Sequence, residues 1–180
     1  MLDTAILIVR KEGADRLTLG HLAVRAGISK PVVYDHFATR SELLIELYRS
    51  IDMELADALQ KALTTGERSF EETVEVLAGA YIHCAVDTSG EWYAIGAALA
   101  GSEEKDAVYQ ELLDNYVQLF ATVLKPYCAL APLELERRCV GLVGAGEALS
   151  AAMVRGSLSE SEAAGAFRAL IEGGVRPFSG

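Results

Sequence analysis

Apolar residues recur every three or four positions along almost the whole chain, and this spacing constrains the fold more than any other feature. The period is typical of helices that bury one face, whereas strands alternate polar and apolar residues. Only 4 of the 180 residues are proline, and 51% are hydrophobic, which is too many for a disordered chain. The sequence therefore predicts an all-α protein with about nine helices and no strand.

Three short helices are predicted near the N-terminus. The first spans about Leu2–Glu12. The second begins at the N-cap Thr18 and ends before Gly27, a residue suited to a left-handed cap. Ser29 caps the third helix, and Pro31 falls in its first turn, where the missing N–H of proline breaks no intrahelical hydrogen bond. Two short helices joined by a glycine turn form a candidate helix-turn-helix.

Longer helices are predicted in the rest of the chain. Three start signals have the form Ser/Thr-x-x-Glu, in which the two side chains bond to the backbone reciprocally, and they begin at Thr39, Ser69 and Ser159. Pro126 is expected to end one helix and Pro132 to open the next. The predicted segments span about residues 39–63, 69–89, 92–100, 103–125, 132–154 and 159–172.

The charge is divided unevenly along the chain. The net charge is −10, yet residues 1–48 contain six basic and six acidic side chains, so residues 49–180 carry all of the net negative charge. Because DNA phosphates repel an acidic surface, only the N-terminal segment is suited electrostatically to approach a duplex. We predict a helix-turn-helix DNA-binding domain over residues 1–48 and a second helical domain over residues 49–180.

Three residues of the candidate motif meet the packing needs of a helix-turn-helix. Ala23 is small where the two helices cross, Gly27 permits the turn, and Val33 is an apolar plug. The segment Leu17–Phe37, with its continuation Arg40–Leu44, closely resembles the DNA-binding domain of the TetR family of transcriptional regulators. The resemblance covers roughly the first 48 residues.

The resemblance implies that the start of the second helix meets a phosphate and that the third helix enters the major groove. Lys and Arg bring charge to phosphates, Tyr and His form single hydrogen bonds, and a helix N-terminus attracts an anion. Val32 is suited to a thymine methyl group and Asp35 to a cytosine amine. The alternative to DNA contact is that Tyr34 only packs within the domain and that His36 is only a solvated surface residue. The predicted DNA-binding residues are Thr18, Lys30, Pro31, Val32, Tyr34, His36 and Arg40.

Members of this family usually carry a further turn and basic residues ahead of the position that Met1 occupies here. We expect an added Arg-containing extension to tighten DNA binding and to steepen its dependence on salt, because more phosphates would be neutralised. Unchanged affinity across salt concentrations would contradict this expectation.

By the same resemblance, the second domain is expected to hold a small-molecule pocket and to form a homodimer through its last two long helices. The helix predicted over residues 132–154 is apolar on two faces, which is more than one small core can bury. A ridge of small residues would let a second helix approach closely. The ridge consists of Gly141, Gly144, Ala148 and Ala152. Packing against two neighbours within one monomer is the alternative.

Candidate pocket residues are large amphipathic side chains that several helices could bring together, with two polar groups among them. They are Tyr81, His83, Trp92, Tyr93, Tyr116, Phe120, Glu147 and Met153. Aromatic side chains at helical spacing are also common in plain cores, so a core role is the alternative. Glu147 could instead pair with Arg138 or lie at a dimer seam.

The resemblance implies a dimeric, ligand-responsive repressor that binds an inverted-repeat operator and is released by a small-molecule effector. Activation, or repression without a ligand, is an open alternative. A helical-bundle sensor or enzyme with weak or lost DNA binding is another, although we find no Glu-x-x-His metal pair, no Gly-rich phosphate loop and no nucleophile with an obvious base. We expect no catalytic residues, no cofactor, no metal, no membrane span, three reduced cysteines and a cytoplasmic location.

Overall fold

The computed structural model describes residues 1–64, 68–99, 101 and 103–175, without the side chains at positions 55, 64, 87–90 and 93. Tyr93, a candidate pocket residue, therefore lies outside the described side chains, and Ala100, the end of a predicted helix, lies outside the described residues. Within the described residues the chain is helical and has no strand. The predicted all-α class is confirmed.

Eight α-helices and two short 3-10 turns make up the described part of the chain. The α-helices are α1 (Leu2–Glu12), α2 (Leu19–Ala26), α3 (Lys30–His36), α4 (Arg40–Thr64), α5 (Phe70–Ala98), α6 (Glu103–Leu124), α7 (Pro132–Val154) and α8 (Glu160–Val175). The 3-10 turns span Ala14–Arg16 and Lys125–Tyr127. As predicted, α6 ends just before Pro126 and α7 begins at Pro132, because proline cannot continue a helix but is suited to its first turn.

Side-chain caps open three of the helices as predicted. In Ser69–Glu72 and Ser159–Glu162 the hydroxyl accepts the glutamate N–H and the carboxylate accepts the serine N–H, at 2.8 to 3.3 Å. The bond from the serine hydroxyl also holds the pKa of Glu162 below its ordinary value. In Thr39–Glu42 the hydroxyl accepts the glutamate N–H at 3.1 Å, while the carboxylate accepts the N–H of Ala38 at 2.7 Å.

Two predicted helix ends are wrong. The segments predicted over residues 69–89 and 92–100 belong to one helix, α5, which continues through Gly90 to Ala98. Similarly, α8 continues past Gly173 to Val175. A glycine inside a helix costs only about 1 kcal/mol relative to alanine. Burial of residues beyond the glycine, such as Ile95 and Val175, outweighs that local cost.

The chain divides into two compact units. The first unit comprises Met1–Glu54 and Thr88–Gln110, and the second comprises Leu55–Asp87 and Glu111–Gly180. Helices α4, α5 and α6 each contribute residues to both units. The functional domains predicted at residues 1–48 and 49–180 stay a prediction. Fully buried apolar residues of the first unit include Ile8, Leu17, Leu22, Val33, Leu43 and Leu47.

The core of the second unit is built around Phe120 and Phe167, its largest fully buried side chains. Cys139 lies in the same core, and burial raises the pKa of its thiol to about 11, with Cys128 and Glu136 adding to the shift. All three cysteines are free thiols. This core gives the second unit an apolar interior of its own.

Within the described part of the chain, no helix is both long and apolar enough to cross a membrane. No group of three or more His, Cys, Asp or Glu side chains there is arranged to hold a metal ion.

Candidate nucleic-acid interface

Helices α2 and α3 form a helix-turn-helix whose turn spans residues 27–29. Gly27 has φ 67° and ψ 28°, the left-handed conformation that glycine adopts most readily. The N–H of Ile28 then donates to the carbonyl of Ala23 at 3.1 Å, which closes the end of α2. Ala23 and Val33 are 1% and 0% exposed. The structural roles predicted for Ala23, Gly27 and Val33 are therefore confirmed.

Helix α3 turns Val33 inward and exposes its six other residues. Successive residues of a helix are rotated by about 100°. Pro31 and Asp35 therefore lie at the centre of the exposed face, opposite Val33. The flanks of this face carry Lys30 and Tyr34 on one side, and Val32 and His36 on the other. If α3 enters a DNA groove with this face first, the residues at the centre of the face meet the base edges. The residues on its flanks then meet the walls of the groove.

The start of α2 and the side chain of Lys30 lie together. The hydroxyl of Thr18 accepts the N–H of His21 at 3.1 Å and so caps α2, as predicted, while its own O–H can still donate. A methyl group on Gly20 would lie 3.9 Å from Cε of Lys30, so the lysine stem passes beside the first turn of α2. This surface is suited to a phosphate, which the N-terminus of α2 attracts and to which the Thr18 hydroxyl and the Lys30 ammonium can donate hydrogen bonds.

Arg40 differs from the other predicted DNA contacts because the protein itself holds its guanidinium. Nε donates to the carbonyl of Leu17 at 2.7 Å, and Nη2 donates to that of Ala14 at 2.8 Å. These bonds tie the start of α4 to the segment that precedes α2. Arg40 therefore positions the start of α2, and its Nη1 has no partner among the residues described.

Protein partners hold half of the basic side chains in residues 1–48. Arg25 Nη1 lies 3.1 Å from Glu12 Oε1, and the other oxygen of Glu12 lies 3.0 Å from Nε2 of His21. Arg10 and Arg40 are held as well. The basic side chains without a partner in the described part of the chain are Lys11, Arg16 and Lys30. The contacts of Glu12 could not be predicted from the sequence, because no local pattern marks His21 and Arg25 as its partners.

The N-terminal residues match a known protein family. Residues 1–47 fit the family model described as bacterial regulatory proteins, tetR family. This segment, which contains α1 to α3, is therefore similar to the DNA-binding domain of TetR-family regulators. A search of curated protein sequences finds no significant match.

Solved structures resemble the chain over nearly its whole length. A TetR-like transcriptional regulator from Rhodococcus sp. RHA1 is 22% identical, has a TM-score of 0.69, and covers 96% of this chain and 92% of its own. The fatty acid degradation regulator FadR from Bacillus halodurans is 19% identical and has a TM-score of 0.70. The match covers 97% of this chain and 94% of FadR. The multidrug binding protein EbrR, solved with imidazole, is 16% identical and has a TM-score of 0.71. The match covers 99% of this chain and 94% of EbrR. At these identities the likeness shows the fold alone, which the chain shares with these structures over nearly its whole length.

The second half of α5 contacts α1 and α4 within the first unit. The side chain of Glu91 is only 10% exposed and pairs with Arg10 of α1. Trp92 stacks on Tyr48 of α4, with ring centroids 3.6 Å apart and planes at 21°. All four residues belong to the first unit. The structure thus places Trp92, a candidate pocket residue, against α4.

Three candidate pocket residues meet in the core of the second unit. The ring of Tyr81 lies edge-on to Tyr116 and Phe120, with centroids 5.6 and 5.5 Å away, and 5.3 Å from the centroid of Phe167. Gly146 lets this aromatic cluster close, because a methyl group there would lie 2.6 Å from Tyr81 Cε1 and 2.9 Å from Phe167 Cζ. Phe167 was not among the predicted pocket residues, although it lies in the apolar stripe of the last helix.

The remaining described pocket candidates have different surroundings. His83 is exposed, and its Nδ1 lies 2.9 Å from Oε1 of Glu160. Met153 packs, half-buried, against the core of the second unit. Glu147 is half-buried on α7. Arg138, one of its predicted partners, bonds to a glutamate one turn earlier on α7 and to a backbone carbonyl of α8.

Only one of the two apolar faces of α7 is covered within the described residues. Leu133 and Val140 are 58% and 59% exposed, and on α8, which packs against α7, Leu170 is 47% exposed. The exposed small residues of the predicted ridge are Gly141, Gly144 and Ala148. Both helices therefore present uncovered apolar side chains, with small residues between them on α7.

Proposed function

We propose that this chain is a dimeric repressor, which binds an inverted-repeat operator through α2 and α3 and is released from DNA by a small-molecule effector. The observation that carries the proposal is the face of α3 opposite Val33, which is exposed along its whole length. Within the described residues the polar side chains of Lys30, Tyr34 and Asp35 on this face have no protein partner. A cytoplasmic location belongs to the same proposal.

The start of α2 supplies the phosphate contacts. Thr18 donates its O–H and Lys30 its ammonium to one phosphate, which the N-terminus of α2 also attracts. Arg40 supports this contact by holding the segment before α2 and can reach DNA only through Nη1. Because only three basic side chains of the domain are without a protein partner among the described residues, we expect few phosphate contacts and a modest salt dependence.

Helix α3 reads the major groove. Tyr34 and His36 lie on opposite flanks of its exposed face and form single hydrogen bonds to the groove walls or to bases. Val32 contacts a thymine methyl group. Pro31 presents an apolar ring at the centre of the face. Exposure and position on α3 support these roles.

A second copy of the chain covers the exposed apolar face of α7 and α8. The uncovered side chains of Val140 and Leu170 favour a partner, and the small ridge residues on α7 allow that partner to approach closely. A dimer places two copies of α3 on the same DNA, which is why we expect an inverted repeat.

The effector acts on the second unit. Tyr81, Tyr116 and Phe120 offer an aromatic surface to an apolar ligand once their packing opens. The relative EbrR is described as a multidrug binding protein and was solved with imidazole, which favours a small organic ligand. Helix α5 carries Tyr81 in the second unit and Glu91 in the first. A ligand that displaces α5 would therefore disturb the pair that Glu91 forms with α1.

The DNA-binding part of the proposal is tested by selection from random duplexes at low salt. The wild-type protein is expected to enrich an inverted repeat. Lys30→Met should weaken binding to that repeat and reduce the slope of log affinity against log salt by about 1. Lys125→Met is the matched control, because Lys125 is also exposed and without a partner in the described part of the chain but belongs to the second unit. Failure to enrich any repeat would contradict the proposal.

The dimer is tested by sedimentation equilibrium. Val140→Asp places a charge on the exposed apolar face and is expected to give monomers that lose the inverted repeat. Met53→Asp is the control, since Met53 is 67% exposed on α4 and outside this face. A monomeric wild-type protein that still selects the repeat would rule out this interface.

A further inference from the structure

Asp35 is the only acidic residue of α3, and the function proposed above does not use the fit to a cytosine amine that its sequence position indicates. It is exposed and, within the part of the chain that the structure describes, has no hydrogen-bond or ion-pair partner. Its position is opposite the buried Val33, at the centre of the face that enters the groove. A carboxylate at this position approaches the floor of the groove before the residues on either flank.

The chemistry of DNA leaves this carboxylate few partners. An ionised carboxylate only accepts hydrogen bonds, and the phosphates of the DNA backbone repel it. In the major groove the donors are the N4 amine of cytosine and the N6 amine of adenine, whereas guanine and thymine present acceptors. The adenine amine lies between two acceptors, adenine N7 and thymine O4. The cytosine amine has an acceptor, guanine O6, on one side only, so it is the better partner.

We propose that Asp35 determines operator specificity by accepting a hydrogen bond from the N4 amine of one cytosine in each half-site. This inference rests on the proposed DNA-binding function. The same negative charge weakens binding to sites without the amine, because the carboxylate then faces acceptors and phosphates with no compensating bond. Asp35 therefore raises specificity and lowers affinity for random DNA.

The first experiment is a selection from random duplexes with the full chain, D35A and the control D3N. Asp3 is exposed at the start of α1, so D3N removes one negative charge away from α3. Wild type and D3N are expected to enrich the same inverted repeat, with a cytosine at one position of each half-site. D35A should keep the repeat but lose about five- to tenfold of the preference for that cytosine, and it should bind random duplexes more tightly than D3N does.

The outcomes separate this inference from the proposed function. An inverted repeat that is identical for wild type and D35A, or an Asp35-dependent position that is not a cytosine, overturns the role of Asp35 and leaves the DNA-binding proposal standing. No inverted repeat with the wild-type protein overturns both.

A modified base tests the hydrogen bond itself. N4-methylcytosine replaces the amine hydrogen that points into the major groove with a methyl group. Placed at the assigned position of the selected operator, it is expected to lower the affinity of the wild-type protein about fivefold and to leave that of D35A unchanged. An equal loss with both proteins overturns the contact. D35A is expected to melt no lower than the wild-type protein, because the Asp35 side chain has no partner among the described residues and alanine has the higher helix propensity.

Discussion

Substitution of Gly146 by alanine tests how tightly the core of the second unit is packed. The added methyl group would lie 2.6 Å from Tyr81 Cε1 and 2.9 Å from Phe167 Cζ, both far inside van der Waals contact. The ring of Tyr81 has little freedom to move away, because it also packs against Tyr116 and Phe120. An added methyl group in a packed core costs about 1–3 kcal/mol. Alanine recovers about 1 kcal/mol through its helix propensity.

Because two rings have to move, we take the upper part of that range and expect Gly146→Ala to lower the free energy of unfolding by about 2 kcal/mol. Urea denaturation measures this loss directly, and a thermal scan should show the melting temperature lowered by about 4–8 °C. The matched control is Gly79→Ala in α5, where a methyl group has no neighbouring atom within 4 Å. The control is expected to gain about 1 kcal/mol.

Equal stabilisation by the two substitutions would refute the packing of Tyr81 against Gly146. Tyr81→Leu provides a second check. In a chain that already carries this substitution, Gly146→Ala should cost less, because the nearer of the two rings that block the methyl group is gone. An unchanged cost would show that the loss has another origin.

Three further predictions concern single side chains. Arg40→Met removes two hydrogen bonds to backbone carbonyls and should lower the free energy of unfolding by about 1–3 kcal/mol. If the free energy of unfolding measured without DNA is unchanged, Arg40 has no structural role and contributes only to DNA binding. Glu91→Gln removes the charge that faces Arg10 and should cost about 1 kcal/mol in the same assay, with Glu54→Gln, exposed in the middle of α4, as a control without effect. The pKa of Cys139 rises from 9.0 to about 11 on folding, so the thiolate forms more readily in the unfolded chain and stability should fall as the pH rises from 9 towards 11. Alkylation of Cys139 that is as fast in the native protein as in urea would contradict its burial.

The helix-turn-helix could be predicted because its signals lie close together in the chain. Thr18 caps α2 through the N–H of His21, three residues ahead, and Gly27 ends the same helix with a left-handed turn. Such preferences depend on the residue and its nearest neighbours, so they hold whatever the rest of the chain does. Exposure of the α3 face then follows once Val33 is recognised as the buried residue.

The pocket candidates show where this reasoning ends. Residue type and helical spacing selected Tyr81, Trp92 and His83 as one group, yet the structure places Tyr81 in an aromatic core, Trp92 against Tyr48 and His83 at the surface beside Glu160. Helical periodicity tells which side chains share a face of one helix. It does not tell which other helix lies against that face.

Neighbouring residues alone specify the all-α class, the starts of the capped helices and the geometry of the turn between α2 and α3, because each depends on hydrogen bonds and dihedral angles over a few residues. The tertiary structure alone decided that α5 continues through Gly90, that Arg40 holds the carbonyls of residues 23 and 26 positions away, and that Glu91 pairs with a residue 81 positions away. In these cases burial and long-range pairing outweigh local preferences of about 1 kcal/mol. No local sequence pattern indicates which distant residue will form such a contact.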